Sequence, residues 1–191
     1  MTDDLFQTAL AFYWRPENDG QGYHSSPSDR GGSTSWGATF STYCAWLLLH
    51  QPEGPGGTIP EFAAMHRNDF QPFYRSAFWN PIQGDQLPSG LGLVVFDAAC
   101  MSGVTRAARW LQRAIGAVPV DGEIGPVTMG LATHKPVISA ITAFTNLRRQ
   151  FYNDIVDNDD SQARFLAGWL RRAADCQIAG IQAAGKAPVS V

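Results

Sequence analysis

Lysine is almost missing from this chain: of 14 basic residues, 12 are Arg and only Lys135 and Lys186 are Lys. Charged residues of any kind are scarce, at 16%. No run of basic residues occurs and the net charge is −3, which argues against nucleic acid as a partner. Cysteine is limited to Cys44, Cys100 and Cys176. An odd, widely spaced set excludes a disulfide framework and a structural zinc site, and their apolar neighbours predict buried free thiols. The four histidines, His24, His50, His66 and His134, lack metal-ligand spacing, so no metal and no cofactor is expected. No long apolar run is present; Ala45 to Leu49 is far too short to span a bilayer, so no integral membrane segment is expected. The opening Met1-Thr2-Asp3-Asp4 has no basic, apolar leader pattern, which predicts synthesis in the cytoplasm without a signal peptide.

What remains is a globular composition. Hydrophobic residues make up 45% of 191, enough to bury a core without staples. Helical periodicity is expected over 3–15, 37–50, 60–66, 69–78, 90–101, 104–115, 126–133, 136–156 and 160–178. The stretch GLGLVVFDAACM, residues 90–101, reads as a central buried helix. Asp97 within it would be costly unpaired, and Arg106, Arg109 or a backbone donor is its expected partner. Residues 17–35, ENDGQGYHSSPSDRGGSTS, break the helical pattern and predict an irregular loop or a short β-hairpin. A loop of that length inside a compact chain usually carries function.

Two carboxyl groups flank this loop. Glu17 follows the aromatic run Phe12, Tyr13 and Trp14, where desolvation would keep it neutral and suit it as a general acid. Asp29 lies among hydrophilic residues and should stay ionised. Such a pair is the equipment of glycoside cleavage, and the Thr34 hydroxyl could hold the attacking water. The same residues also fit a helix end and a turn at Arg30-Gly31-Gly32, so residue chemistry alone leaves both readings open.

YHSSPSDRGGSTSWGATFSTY, residues 23–43, resembles the Asn-Asp-Pro-x-Asp-x-Gly-Gly-x-Thr stretch of glycoside hydrolase family 108, the phage endolysin and N-acetylmuramidase family. Tyr23, Pro27, Asp29, Gly31, Gly32, Thr34 and Gly37 fall at family positions. The preceding Glu-Gly-Gly-Tyr of the family is ENDGQGY here. A three-residue insertion at 18–20 aligns Glu17 with the family glutamate; an ungapped match would instead put Gly20 there, and Asp19 is a conceivable substitute acid. Residues 78–103 are similar to the family's Tyr-Trp…Gly-Asp-x-Leu-Pro segment and the helix after it. Residues 104–132, with Leu111-Gln112 and Val120 to Thr128, resemble the associated predicted peptidoglycan-binding region.

The resemblance implies a mostly α, lysozyme-like fold of two helical lobes with an irregular or short β-hairpin loop near the N-terminus. It implies a muramidase-like part at 3–103, a peptidoglycan-binding helical part at 104–178 packed with it, and a flexible tail at 179–191. The implied activity is cleavage of the β-1,4 bond between N-acetylmuramic acid and N-acetylglucosamine, by Glu17, Asp29 and Thr34. Tyr23, Trp36, Trp79, Asn80 and Gln83 are the expected substrate-binding residues, although Trp79 reads equally well as a packed loop residue. Glycan strands are the expected partner and a monomer the expected state. Action on the wall in the periplasm would follow release through a holin lesion or a secretion device. A peptidoglycan-binding protein that does not cut remains the alternative.

Overall fold

The computed structural model describes residues 2–15, 22–25, 32–51 and 53–185. Glu17 and Asp29 lie outside the described residues. The chain is mostly helical, as expected, with one two-stranded antiparallel sheet among the described residues. It divides into two compact units, Leu10–Phe78 and Met1–Ala9 with Trp79–Val191. The buried helix before residue 103 packs with the helices after it.

The unit Leu10–Phe78 starts in helix α1 (Thr2–Tyr13) and continues through strands β1 (Thr34–Ser35) and β2 (Ala38–Thr39) into α2 (Phe40–His50). Thr39 caps α2, its hydroxyl accepting from the Thr42 N–H. Helix α3 (Ile59–Ala64) opens on a reciprocal cap between Thr58 and Glu61. The expected helix at 69–78 is instead a 3-10 turn at Arg67–Phe70, a short α4 (Gln71–Tyr74) and a π-turn at Arg75–Trp79. Its core is aromatic. The Tyr43 ring lies 5.3–5.6 Å from those of Trp46, Phe62, Phe70 and Phe73, and its hydroxyl donates to the Pro55 carbonyl at 2.9 Å.

The other unit is built around α5 (Leu91–Ser102), in which every residue from Leu91 to Ala99 is buried. Helices α6 (Val104–Ile115), α7 (Pro126–His134), α8 (Val137–Asn158) and α9 (Ala163–Gly185) complete it. Pro126 occupies the first turn of α7, where its missing N–H costs nothing. The tail expected to be flexible from residue 179 is helical through Gly185. Gly180 is buried, and a Cβ on Gly90 would sit 2.0 Å from its carbonyl oxygen. Small residues there allow close backbone approach rather than fraying.

Asp97 is fully buried, and its partners are not Arg106 or Arg109. Arg148 on α8 and Arg172 on α9 each reach it at 2.7 Å. Burial alone would raise its pKa, but the two guanidiniums outweigh that and hold the carboxyl below its usual range. The thiols also differ from expectation: Cys176 is buried, while Cys44 and Cys100 are half-buried.

Candidate functional site around the Trp36 turn

Strands of two residues cannot hold a hairpin in water by themselves. Thr34 pairs with Thr39 and Ser35 with Ala38, leaving Trp36-Gly37 as a two-residue turn. Both turn residues have positive φ, 50° at Trp36 and 84° at Gly37, the geometry of a tight hairpin that matches strand twist. Glycine adopts it freely; for a tryptophan it is strained.

Side chains from the surrounding elements secure the turn. The Trp36 carbonyl accepts from the Trp14 indole N–H at 3.0 Å and from the Tyr74 hydroxyl at 2.8 Å. The Tyr13 hydroxyl donates to the Gly37 carbonyl at 3.2 Å. The Trp36 indole N–H donates to the Met65 carbonyl at 3.3 Å. Trp14 is itself fixed edge-on to Tyr74, centroids 5.6 Å apart, with the Arg67 guanidinium 5.5 Å from its ring centroid. Tyr13 and Tyr74 are therefore positioning residues for the turn, a role that no sequence motif signals.

The turn in turn fixes Thr34 and the segment before it. His24 and Thr34 exchange backbone hydrogen bonds at 2.8 and 2.9 Å, pairing these two positions of the polar stretch. The Thr34 hydroxyl donates to the Gly32 carbonyl at 3.4 Å and keeps its lone pairs for a further donor, such as water. Beside it, Tyr23 is exposed, and its hydroxyl meets Ser33 Oγ at 3.2 Å, which donates to Ser25 Oγ at 3.3 Å. This row of exposed hydroxyls can exchange hydrogen bonds with sugar hydroxyls. Trp36 is half-buried, with its ring packed beside Gly22. Ser35 Oγ is buried with no hydrogen-bond partner.

Trp79, Asn80 and Gln83 belong to the other unit, and the surroundings of Trp79 leave only its packing reading. Trp79 is 1% exposed. Phe6 and Phe96 pack around it at 5.6 and 5.7 Å, its indole N–H donates to Asp85 at 2.8 Å, and a Cβ on Gly84 would fall 2.4 Å from its ring. It has no free face for a sugar to stack on. The Trp…Gly-Asp-x-Leu-Pro pattern thus encodes a packed corner: glycine admits the ring, aspartate takes its N–H, and buried Leu87 closes it. Gln83 is half-buried, and its amide donates to the Ile124 carbonyl. Asn80 is exposed.

The Leu-Gln and Val-Asp-Gly-x-x-Gly-Pro-x-Thr pattern is explained by one buried side chain. The Gln112 amide donates to Asp121 Oδ1 at 2.6 Å, to the Glu123 carbonyl at 3.0 Å and to Thr128 Oγ1 at 3.4 Å. Its Oε1 accepts from the Gly122 N–H at 2.9 Å. Hydrogen bonds from Gln112 and from the Glu123 backbone hold the Asp121 carboxyl below its ordinary pKa. At Gly122 φ is 90° and a Cβ would lie 2.7 Å from Thr105 Cγ2, so only glycine fits. Among the described residues no cluster of three or more His, Cys, Asp or Glu side chains could hold a metal ion, and no helix is long and apolar enough to cross a membrane.

Residues 17–103 match the family described as Glycosyl hydrolase 108, and residues 106–174 match the Predicted Peptidoglycan domain. The chain is similar to the solved structure of Brucella abortus SagA, at 26% identity and a TM-score of 0.79, over 95% of this chain and 97% of that one. The fold is lysozyme-like. No curated protein matches the chain. These matches make its role a peptidoglycan-related hydrolase or binding one.

Proposed function

We infer that this chain, which joins a glycosyl hydrolase 108 region to a predicted peptidoglycan domain, is an N-acetylmuramidase. It cleaves the β-1,4 bond between N-acetylmuramic acid and N-acetylglucosamine. Glu17, within the matched region, is the general acid that protonates the leaving oxygen. Asp29 supports the oxocarbenium-like transition state or orients water, with Thr34 assisting. Tyr23 and Trp36 border the bound strand.

The observation that carries this reading is the Trp36 turn. A strained tryptophan in a hairpin too short to stand alone is held by three aromatic donors, and strain of this kind persists where surrounding contacts over-determine it. The turn adjoins Thr34, whose backbone pairs with that of His24, and Glu17 and Asp29 belong to the same stretch of sequence. Exclusion of water by Trp14, Tyr23 and Trp36 would strengthen the charges acting there.

The protein is made in the cytoplasm and reaches the wall after holin- or secretion-system-dependent release, acting alone as a monomer. Digestion of purified peptidoglycan, with mass spectrometry of the soluble products, tests the bond assignment. Fragments with N-acetylmuramic acid at the reducing end support it. Fragments with N-acetylglucosamine at that end contradict it. Sedimentation with insoluble peptidoglycan without release of any reducing sugar would support the binding-only alternative, which the insertion at 18–20 favours.

A further inference from the structure

Helix α6 carries an exposed, charged face. Arg106, Arg109 and Arg113 recur along it at helical spacing, opposite the buried Ala107, Ala108, Leu111, Ala114 and Ile115. With Trp110 and Phe151 they line a cleft of about 490 Å³, within the size range of small-ligand sites. Arg106 is laid over the Phe151 ring, 4.3 Å from its centroid, and donates to the Ser102 carbonyl at 3.4 Å. Arg109 donates to the Asp121 carbonyl at 3.4 Å. Among the described residues none of the three pairs with a carboxylate. The contrast with Arg148 and Arg172, both spent on Asp97, is direct. Three like charges gathered in one cleft repel one another, and an anion relieves that repulsion. Arginine also offers a planar fork that matches a carboxylate bidentately.

We propose that the Arg106–Arg109–Arg113 cleft binds the carboxylates of the peptide stems that branch from the glycan. The proposal rests on peptidoglycan as the partner of this chain, but not on its hydrolysis. A stem presents small alanine methyls between free carboxylates. Half-buried Phe151, with the accessible edge of buried Trp110, gives the cleft an apolar floor for the methyls, and the three exposed arginines offer guanidiniums to the carboxylates. A site of this kind would hold the chain on peptide-bearing strands, leaving the hydroxyl-rich turn around Thr34 to deal with sugar.

The test uses the full chain and three probes in calorimetric titrations: a purified tetrapeptide stem, the same peptide with its carboxylates amidated, and glycan strands stripped of stems. The stem is expected to bind, and amidation is expected to weaken it by about tenfold or more. Replacing Arg106, Arg109 and Arg113 together by Gln should produce the same loss for the stem while leaving binding to stripped glycan unchanged. Arg113→Glu alone disturbs the fold less, because among the described residues the exposed Arg113 side chain makes no hydrogen bond; it should weaken stem binding about threefold or more. Equal stem binding by parent and Arg113→Glu overturns the proposal, as does a parent that binds stripped glycan but not the stem. These readings use binding alone, so a failure of the hydrolase reading, seen as no product from whole peptidoglycan, is distinguishable from a failure here.

Discussion

The Trp14 indole donates to the Trp36 carbonyl at 3.0 Å, and so fixes a turn in which Trp36 itself sits at φ 50°. The bond links the end of α1 to the hairpin that follows the polar loop. The same carbonyl is shared with the Tyr74 hydroxyl. Both donors are buried in the aromatic core of that unit.

Tyr74→Phe removes one of these donors and little else. The variant should lose about 1 kcal/mol of stability, the usual net value of such a bond. It should also lose part of its activity on peptidoglycan, since the strained turn relaxes. Urea unfolding beside a hydrolysis assay checks both; unchanged activity would show that the turn does not position the site.

Ser35→Ala should stabilise the protein by about 1 kcal/mol, because its buried hydroxyl makes no hydrogen bond and costs its desolvation. Thermal unfolding reads the change. A lower melting temperature would mean that the hydroxyl is satisfied in solution.

Asp97 makes stability depend on acid. Its folded pKa lies below the ordinary 3.8, so its contribution is present above the unfolded value and lost as pH falls through the folded one. Asp97→Asn leaves Arg148 and Arg172 buried without their counter-charge and should cost about 3–5 kcal/mol at neutral pH. Urea midpoints measured from pH 7 down to about 3 should fall for the parent. They should lose this component of the fall in the variant.

Two glycine substitutions should act in opposite directions. Gly84→Ala places a methyl group 2.4 Å from the Trp79 ring and should destabilise by about 1–3 kcal/mol or more. Gly168→Ala, inside α9 with nothing within 4 Å, should stabilise by about 0.5–1 kcal/mol. Calorimetry on the two variants gives the signs.

Sequence patterns expose what is local. Helix α5 was legible from its nearly unbroken apolar run and α6 from its apolar spacing, and α6 ends where Gly116 turns left-handed at φ 80°. Asp97 shows the limit: its two arginines lie 51 and 75 residues further along the chain, and nothing local distinguishes them from Arg106 or Arg109. Trp79 shows another. An aromatic residue among Asn, Pro and Gly suggests an exposed binding loop, yet the glycine is there to let the ring lie on the backbone. The roles of Tyr13 and Tyr74 at the Trp36 turn were equally hidden, since a hydroxyl inside an apolar run gives no hint of its acceptor. Glu17 and Asp29 rest on the family pattern, and they fall outside the described residues.

The central claim is that Glu17 supplies the proton for glycosidic cleavage. The direct measurement is the rate of reducing-sugar release from purified peptidoglycan by Glu17→Gln, with circular dichroism and binding to the same peptidoglycan as controls for the fold. A drop of about 100-fold or more, with binding retained, is the expected result. Release at the parent's rate would contradict the account.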